Sequence, residues 1–192
     1  MEKLILYHSG LYTLPEPDIR HGRKNADFGQ GFYLSDSEGF SKRWAPRSRE
    51  RTTVINRYEL SPEGLKVKRF TRSPEWFDYI FSNRSFKADA LSEFDVIIGP
   101  IANDTLYDTM GIITSGLLKP DHALTLLRLG DEYTQIVIKT DRAARQLRFI
   151  SAQEPDRQEL AACKAALALE EQAYQELFAQ ELDRLVGEDE ME

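Results

Sequence analysis

Two glycines and two aromatic residues form the segment of this chain best suited to contact a ligand. Within residues 27–35, Gly29 and Gly31 flank a single residue and are followed by Phe32 and Tyr33. Because glycine has no Cβ, the backbone at these positions can approach a ligand closely, although a bend or a bulge would use glycine equally well. Tyr33 falls one residue inside a predicted strand, where its ring has a fixed direction. Alternation along the strand makes Phe32 a core residue on the side opposite to Tyr33.

A histidine near the N-terminus ends a largely apolar run. Residues 4–7 precede His8, which is followed by Ser9 and Gly10. An imidazole nitrogen at the end of a strand can hydrogen-bond a ribose hydroxyl, or it can be satisfied by backbone. Taken with the aromatic segment, this pattern suggests a flat aromatic ligand held between rings, with its ribose bound by His8. The alternative interpretation is that the aromatic rings are all core residues.

Charge is divided unevenly along the chain. The net charge is −7, and residues 151–192 contain twelve acidic and three basic side chains, so residues 1–150 carry about +2. This mildly positive body gives no strong case for nucleic-acid binding, but it suits a ligand with a dianionic pyrophosphate. Arg23, in the loop before the aromatic segment, is the favoured contact for such phosphates because a planar guanidinium matches phosphate oxygens.

Composition argues against several classes of protein. The single cysteine, Cys163, cannot form an internal disulfide, and the three histidines, His8, His21 and His122, lack metal-ligand spacing. No run approaches the roughly 20 apolar residues of a membrane helix, and the N-terminus lacks the pattern of a secretory signal. We therefore expect a cytoplasmic protein that uses neither a membrane nor a structural metal.

Hydrophobic alternation and helical periodicity predict an α+β domain of short strands and helices. The predicted strands cover residues 3–8, 31–35, 53–60, 65–70, 94–99, 135–139 and 147–150. The predicted helices begin at Ser35 or Ser37, at Ser73-Pro74, near residue 104, at Pro120 and at Asp141.

Residues 151–192 differ from the rest of the chain. Pro155 opens a helix to about residue 186, in which apolar side chains lie mostly three, four or seven positions apart and Glu or Gln fills the other positions. This apolar face either packs on the body or is offered to a second copy of the chain or to an inhibitor protein. We accordingly divide the chain into a domain at 1–150 and an acidic amphipathic helix and tail at 151–192.

The two N-terminal segments resemble the ADP-ribosyltransferase superfamily, in the branch that includes diphtheria toxin and the poly-ADP-ribose polymerases. That family's His-Gly-Ser or His-Gly-Thr strand end corresponds to residues 8–10, which read His-Ser-Gly. Its Phe-Gly-x-Gly-x-Tyr strand corresponds to residues 28–33, and its second aromatic, eleven residues after the tyrosine, corresponds to Trp44. Its glutamate at the start of a late strand corresponds to Gln135.

The resemblance covers roughly residues 1–150 and extends to an uncharacterised bacterial family of the same fold, whose members often lie beside toxin–antitoxin genes. It implies an α+β fold in which two small antiparallel sheets form a split β core around an NAD cleft. Helices would surround this core, and one long helix would follow at the C-terminus.

The resemblance also implies roles for individual residues. His8 would bond a ribose hydroxyl on the adenosine side of NAD, and backbone near Ser9 or Gly10 would receive the nicotinamide amide. Tyr33 would stack on the nicotinamide, and Trp44 would cover its other face or wall the pocket. The NAD-contacting set is then His8, Ser9, Gly10, Arg23, Phe28, Gly29, Gly31, Tyr33 and Trp44. The catalytic set is His8, Tyr33 and Gln135.

Gln135 is where the chain departs from the family pattern. Cleavage of NAD passes through an oxocarbenium-like transition state, which nearby negative potential stabilises. A glutamine keeps the hydrogen bond that the family's glutamate makes but loses the charge, and charge-assisted hydrogen bonds are roughly twice as strong as neutral ones. Glu132 is the alternative, although a separation of three residues does not keep the same face of a strand.

The implied function is that of an NAD-dependent mono-ADP-ribosyltransferase, toxin-like, which cleaves the nicotinamide–ribose bond and transfers ADP-ribose to a macromolecular acceptor. Two other functions stay open. One is a catalytically weak module that binds NAD or ADP-ribose, and the other is an NAD glycohydrolase with water as acceptor. The implied partners are NAD, the acceptor, and an antitoxin-like inhibitor or a second copy bound through the C-terminal helix.

Overall fold

The computed structural model describes residues 2–46, 51–102, 122, 125–126 and 128–191, which include seven strands and four helices. The strands are β1 (Leu4–Gly10), β2 (Phe32–Ser35), β3 (Val54–Leu60), β4 (Val67–Arg69), β5 (Val96–Pro100), β6 (Thr134–Ile138) and β7 (Leu147–Gln153). The helices are α1 (Glu38–Arg43), α2 (Pro74–Arg84), α3 (Asp141–Arg145) and α4 (Arg157–Met191). The chain is thus a mixed α/β protein with a long C-terminal helix.

All seven strands belong to one sheet, in the order β4-β5-β6-β2-β1-β3-β7. The pairing of β4 with β5 is parallel, and the other five pairings are antiparallel. The prediction of two separate antiparallel sheets is therefore replaced by a single mixed sheet. Non-consecutive strands are neighbours at several places, which local sequence patterns cannot indicate.

The pairing between β1 and β2 is the shortest in this sheet. Its register has one pair, Tyr7 with Ser35, whereas β1 and β3 share seven pairs and β2 and β6 share four. The strands β4, β5, β6 and β2 thus form one wing of the sheet, and β1, β3 and β7 form the other. We call the place where β1 and β2 part, beyond this single pair, the sheet split.

One face of the sheet carries the main core. Strand alternation brings Leu6, Phe32, Leu34, Ile136 and Ile138 to this face, and each of them is buried. Full burial of one such side chain contributes about 1.5–3 kcal/mol, so this face holds the two wings together more than the single β1–β2 pair does. The prediction that Phe32 is a core residue is confirmed.

Local sequence signals set the helix starts. Ser37 is the N-cap of α1, because its side chain accepts a hydrogen bond from the Phe40 backbone N–H, and Ser73 caps α2 in the same way with Pro74 in the first turn. Thr140 caps α3. The predicted helices near 104–110 and from Pro120 lie largely outside the described residues.

The chain divides into two compact units. One comprises residues 1–100 and 133–164, and the other comprises residues 101–132 and 165–192. Within the second unit, Leu126, Phe178 and Leu185 form a small apolar cluster. The predicted division at residue 150 stays a prediction; β7 continues across it to Gln153. Among the described residues, no helix has both the length and the apolar character needed to cross a membrane.

Candidate functional site

The phenol of Tyr33 holds the loop that precedes its own strand. Its hydroxyl accepts a hydrogen bond from the Phe28 backbone N–H at 3.0 Å and donates one to the Gly29 carbonyl at 2.7 Å. Burial of the ring raises the pKa of Tyr33, so the hydroxyl stays protonated and keeps its donor. We call residues 27–31 the glycine loop. Tyr33 therefore stabilises the glycine loop, whether or not its ring also contacts a ligand.

The ring of Phe28 is fully buried and belongs to an aromatic stack. Its centroid lies 5.8 Å from that of Phe70 and 6.1 Å from that of Tyr79, with nearly parallel planes. The prediction that Phe28 contacts NAD is not supported by this position, because a ring with no exposed surface cannot reach a ligand. Packing explains why an aromatic residue occupies position 28, because stacked aromatic pairs contribute about 0.5–1.5 kcal/mol beyond burial.

Backbone conformation and packing within the protein explain why positions 29 and 31 are glycines. Gly29 has φ +73°, and a Cβ there would lie 2.9 Å from the Asp89 carboxylate. A Cβ on Gly31 would lie 2.6 Å from a methyl of Val137 and 2.7 Å from the Ile138 carbonyl. The backbone at Gly31 can lie this close to β6 only because glycine has no side chain. The sequence left close approach to a ligand and a local backbone requirement open for these glycines, and the structure gives both a packing reason.

A buried lysine holds the same loop from the other side. The ammonium of Lys139 contacts the Asp89 carboxylate and the Phe28 carbonyl, and lies 3.3 Å from the Tyr79 hydroxyl. Burial lowers the pKa of Lys139, and the hydrogen bond and charge of Asp89 oppose that change. Since its ammonium protons are directed at these acceptors, Lys139 acts as a cross-link between the loop and β6.

Gln135 lies in β6, and its side chain is held by Asp27 of the glycine loop. Its Nε2 donates to the Asp27 Oδ2 at 3.1 Å and to the Pro100 carbonyl at 3.4 Å. The other carboxylate oxygen of Asp27 receives Arg84, with Nε at 2.8 Å and a terminal nitrogen at 2.6 Å. Both partners of this ion pair are almost completely buried. The position predicted to carry the family's glutamate therefore holds an amide next to a carboxylate.

The imidazole of His8 lies at the sheet split. Its Nδ1 is 2.8 Å from the Tyr33 carbonyl, and since a carbonyl can only accept, Nδ1 carries the proton. The neutral ring then presents Nε2 as an acceptor. Burial lowers the pKa of His8, while the bond to Tyr33 works in the opposite sense, so the neutral form is favoured. The fixed tautomer leaves one nitrogen able to accept from a hydroxyl.

The rings of His8 and Tyr33 leave the sheet in different directions. His8 packs on Phe32, with centroids 4.5 Å apart, and Phe32 and Tyr33 alternate along β2. Tyr33 shares its face with Gln135, because the register pairs Tyr33 with Val137 and Ser35 with Gln135. The structure thus brings Tyr33 and Gln135 to one face and places His8 in the gap between β1 and β2. The two rings therefore do not face each other, although the roles implied by the resemblance place both against one NAD molecule.

Ser9 and Gly10 extend β1 beyond His8. The strand was predicted to end at His8, but Ser9 and Gly10 continue the pairing with β3, where they face Ile55 and Val54. The Ser9 hydroxyl bonds the Ser41 hydroxyl, at 2.8 Å, and the Ser41 carbonyl, which fastens α1 to the strand. A Cβ on Gly10 would lie 3.4 Å from the His8 Nε2, which is an ordinary van der Waals contact, so Gly10 lies beside that nitrogen.

Trp44 is the C-cap of α1, and 60% of it is exposed. Its ring lies 5.9 Å from the Phe40 ring, and Phe40 in turn stacks on Tyr133 at 4.3 Å. Among the described ring contacts, none joins Trp44 to Tyr33. An exposed tryptophan at a helix end is nevertheless available to cover a bound ring.

The remaining predicted residues lie at the periphery. Arg23 is exposed in the loop before the glycine loop, and its charge acts on the Tyr33 hydroxyl by lowering the pKa of that group against the effect of burial. Glu132 is exposed and precedes β6, and it belongs to the second compact unit. The alternative of Glu132 as the functional carboxylate stays a prediction.

Sequence reasoning missed Asp27, Arg84 and Lys139. Asp27 adjoins the glycine-aromatic motif, which is the one signal that could have singled it out. Its partner Gln135 is 108 positions away, and nothing in the sequence connects the two.

Comparison with known proteins places residues 4–149 within a family model described as a protein of unknown function, DUF3990. This match covers the whole seven-stranded sheet except the last residues of β7, so the chain belongs to the DUF3990 family. A search of curated proteins finds no match.

Proposed function

We propose that this protein is an NAD-dependent mono-ADP-ribosyltransferase that binds NAD at the sheet split. The observation that carries the proposal is the setting of His8. Its imidazole occupies the place where β1 and β2 part, its Nδ1 proton is committed to the Tyr33 carbonyl, and its Nε2 is an acceptor next to Gly10. A ribose hydroxyl is a donor that matches this nitrogen.

The narrow β1–β2 connection supports the same proposal. The resemblance to the ADP-ribosyltransferases implies a split β core, and a sheet whose halves share one register pair is compatible with such a core. Tyr33 and Gln135 lie on one face beside the split, and Trp44 at the end of α1 is exposed. These are the residues that would stack on nicotinamide and contact its ribose.

The acceptor of ADP-ribose would be a macromolecule, and the toxin-like role and the inhibitor partner belong to this proposal. Cleavage would release nicotinamide while the ribose C1 develops positive charge. Gln135 would accept from a hydroxyl of that ribose, and preorganised dipoles around it would stabilise the charge.

A second candidate is a module that binds NAD or ADP-ribose with little turnover. The buried state of Gln135, whose amide is engaged by Asp27 and Pro100, favours it. An amide provides less stabilisation of an oxocarbenium ion than a carboxylate, and each 1.36 kcal/mol lost from transition-state stabilisation lowers the rate about tenfold.

The experiment that tests the proposal combines two measurements on the full chain. Thermal unfolding with NAD at about 100 times its dissociation constant should show roughly 2.7 kcal/mol of added stability. Nicotinamide release from NAD then separates an enzyme from a binding module, and transfer of labelled ADP-ribose to cell extract separates a transferase from a glycohydrolase.

A matched pair of histidine variants assigns the site. His8→Ala should abolish the NAD-dependent stabilisation, whereas His21→Ala, which removes an exposed imidazole in the loop after β1, should leave it unchanged. If NAD stabilises neither the wild type nor the His21 variant, the proposal is wrong. Equal stabilisation of the His8 variant and the wild type would place any NAD site elsewhere.

A further inference from the structure

Gln135 is held in one orientation by its two acceptors. An amide nitrogen has two protons, and here one is directed at the Asp27 Oδ2 and the other at the Pro100 carbonyl. Both are acceptors only, so the reverse orientation would place the amide oxygen against two oxygens. Oε1 is consequently directed away from them, and it has no donor among the described residues. Gln135 as a whole residue is 7% exposed.

The Asp27 carboxylate changes the electronic character of that amide. An N–H that donates to an anion is part of a charge-assisted hydrogen bond, and hydrogen bonds in series polarise one another. Electron density moves from the amide nitrogen toward Oε1, which becomes a stronger acceptor than the oxygen of an isolated glutamine. The effect is largest where water is excluded, and Asp27 is 9% exposed.

Arg84 and Gln135 contact different oxygens of the Asp27 carboxylate. Nε and a terminal nitrogen of Arg84 contact Oδ1, while the Gln135 amide donates to Oδ2. Asn83 also donates to the backbone carbonyl of Asp27, at 3.0 Å, which fixes the residue in the loop. The guanidinium therefore forms a buried ion pair with the carboxylate through the oxygen opposite to the one that Gln135 bonds.

We propose that Asp27 is a positioning residue for Gln135, which aims and polarises the amide so that Oε1 accepts a hydrogen bond from a ribose hydroxyl of the bound dinucleotide. This inference rests on the proposed function. Asp27 and Gln135 together then do part of what a single glutamate would do, with the negative charge one hydrogen bond away from the ligand.

The test compares Asp27→Asn with Arg84→Lys, together with Gln135→Ala. Both of the first two disturb the same buried ion pair, but Arg84→Lys keeps a cation beside Asp27 and only Asp27→Asn removes the anion from the Gln135 amide. For nicotinamide release at 25 °C, we expect Asp27→Asn to lower kcat about tenfold, as loss of charge assistance would, with KM little changed. Arg84→Lys should lower kcat less than threefold when both variants are assayed under conditions in which they are fully folded, and Gln135→Ala should match or exceed the loss in Asp27→Asn.

A measurement on the wild type alone keeps the inference testable if a variant fails to fold. The Nε2 protons of Gln135 should exchange slowly with solvent in NMR spectra, in contrast to those of the exposed Gln158. Equal kcat values for Asp27→Asn and Arg84→Lys, or rapid exchange at Gln135, would overturn the role of Asp27 and leave the proposed function standing. Absence of NAD binding and nicotinamide release in the wild type would overturn the proposed function, and this inference with it.

Discussion

The two segments that are conspicuous in the sequence have opposite settings in the structure. In the glycine loop, the backbone at Phe28 and Gly29 is bonded by Tyr33 and Lys139, and the ring of Phe28 is buried among other aromatics. At the sheet split, one hydrogen bond holds His8, and its other nitrogen has no donor among the described residues. Residue types that suggested ligand contact in the first segment serve folding, whereas the imidazole in the second segment has an acceptor nitrogen that none of the described residues uses.

A glycine-aromatic motif can therefore serve folding alone, because its glycines let the backbone lie close to neighbouring parts of the protein. The comparison also predicts different effects for mutations in the two segments. Changes in the glycine loop should lower stability strongly, and changes at the split should affect NAD binding with little loss of stability.

The largest loss is expected for Phe28→Ala. Truncation of a fully buried aromatic ring typically destabilises by about 3–5 kcal/mol, because it removes buried surface and leaves a cavity. The matched control is Phe86→Ala, since 75% of Phe86 is exposed. Urea unfolding should show the full effect in the first variant and less than about 0.5 kcal/mol in the second. Similar losses in the two variants would mean that the aromatic stack is not packed as described.

Gly31→Ala should be the next most damaging. Its Cβ would lie 2.6–2.7 Å from β6 atoms that include a backbone carbonyl, and overpacking of this kind costs about 1–3 kcal/mol. Gly39→Ala in α1 is the control, because the nearest atom to its Cβ would be 3.9 Å away and alanine favours a helix. Chemical denaturation compares the two. A Gly31 variant as stable as the wild type would restore the interpretation that this glycine serves a ligand.

Tyr33→Phe should have a moderate effect. It keeps the ring but leaves the Phe28 N–H and the Gly29 carbonyl without their partner, and an unsatisfied buried group costs about 1–3 kcal/mol. If Tyr33 contributes to NAD binding only through its ring, the NAD affinity of the folded variant should stay close to that of the wild type. Titration of NAD by calorimetry measures the affinity, and Tyr33→Leu, which removes the ring, provides the contrasting variant.

The smallest effect on stability is expected for His8, and it depends on pH. Burial holds the folded pKa of His8 below the ordinary imidazole value of 6.5, so between that pH and the folded pKa the unfolded chain binds more protons than the folded one. The contribution of the neutral imidazole is complete above pH 6.5 and is lost as pH falls toward the folded pKa. Replacement by Gln should flatten this part of the pH–stability curve. NAD affinity of the wild type should fall only as the pH reaches the folded pKa and passes below it, because protonation of the folded imidazole removes the acceptor at Nε2. Affinity that stays constant at such pH values in the folded protein would contradict the role of His8.

The sequence predicted most secondary structure, for identifiable reasons. All seven strands begin within two residues of their predicted starts, because apolar runs and Gly or Pro punctuation surround each one. Ser37, Ser73 and Pro74 gave the starts of α1 and α2 through capping chemistry. The connection of the strands into one sheet could not be predicted, since it depends on pairings such as β2 with β6 between residues about a hundred positions apart.

The candidate site was predicted only in part. Tyr33 and Gln135 lie on one face of the sheet, and His8 bonds the Tyr33 carbonyl at the sheet split. Local patterns singled out His8 and Tyr33, and the family resemblance singled out Gln135. The orientation of His8 could not be deduced, because it depends on where the β1–β2 pairing stops and on which nitrogen the Tyr33 carbonyl selects. Asp27 was overlooked because a charged residue in a loop is usually solvated, and its burial depends on Arg84, which comes from a distant helix.

The single register pair between β1 and β2 also has a consequence for how the folded chain fluctuates. Regions joined by few hydrogen bonds can open at lower free energy than the whole molecule unfolds. Because one apolar core joins the two wings, this opening should be confined to the split, and the amides of β1 and β2 that face it should exchange with solvent sooner than those in the middle of β3 and β6. A dinucleotide bound across the split would slow that exchange.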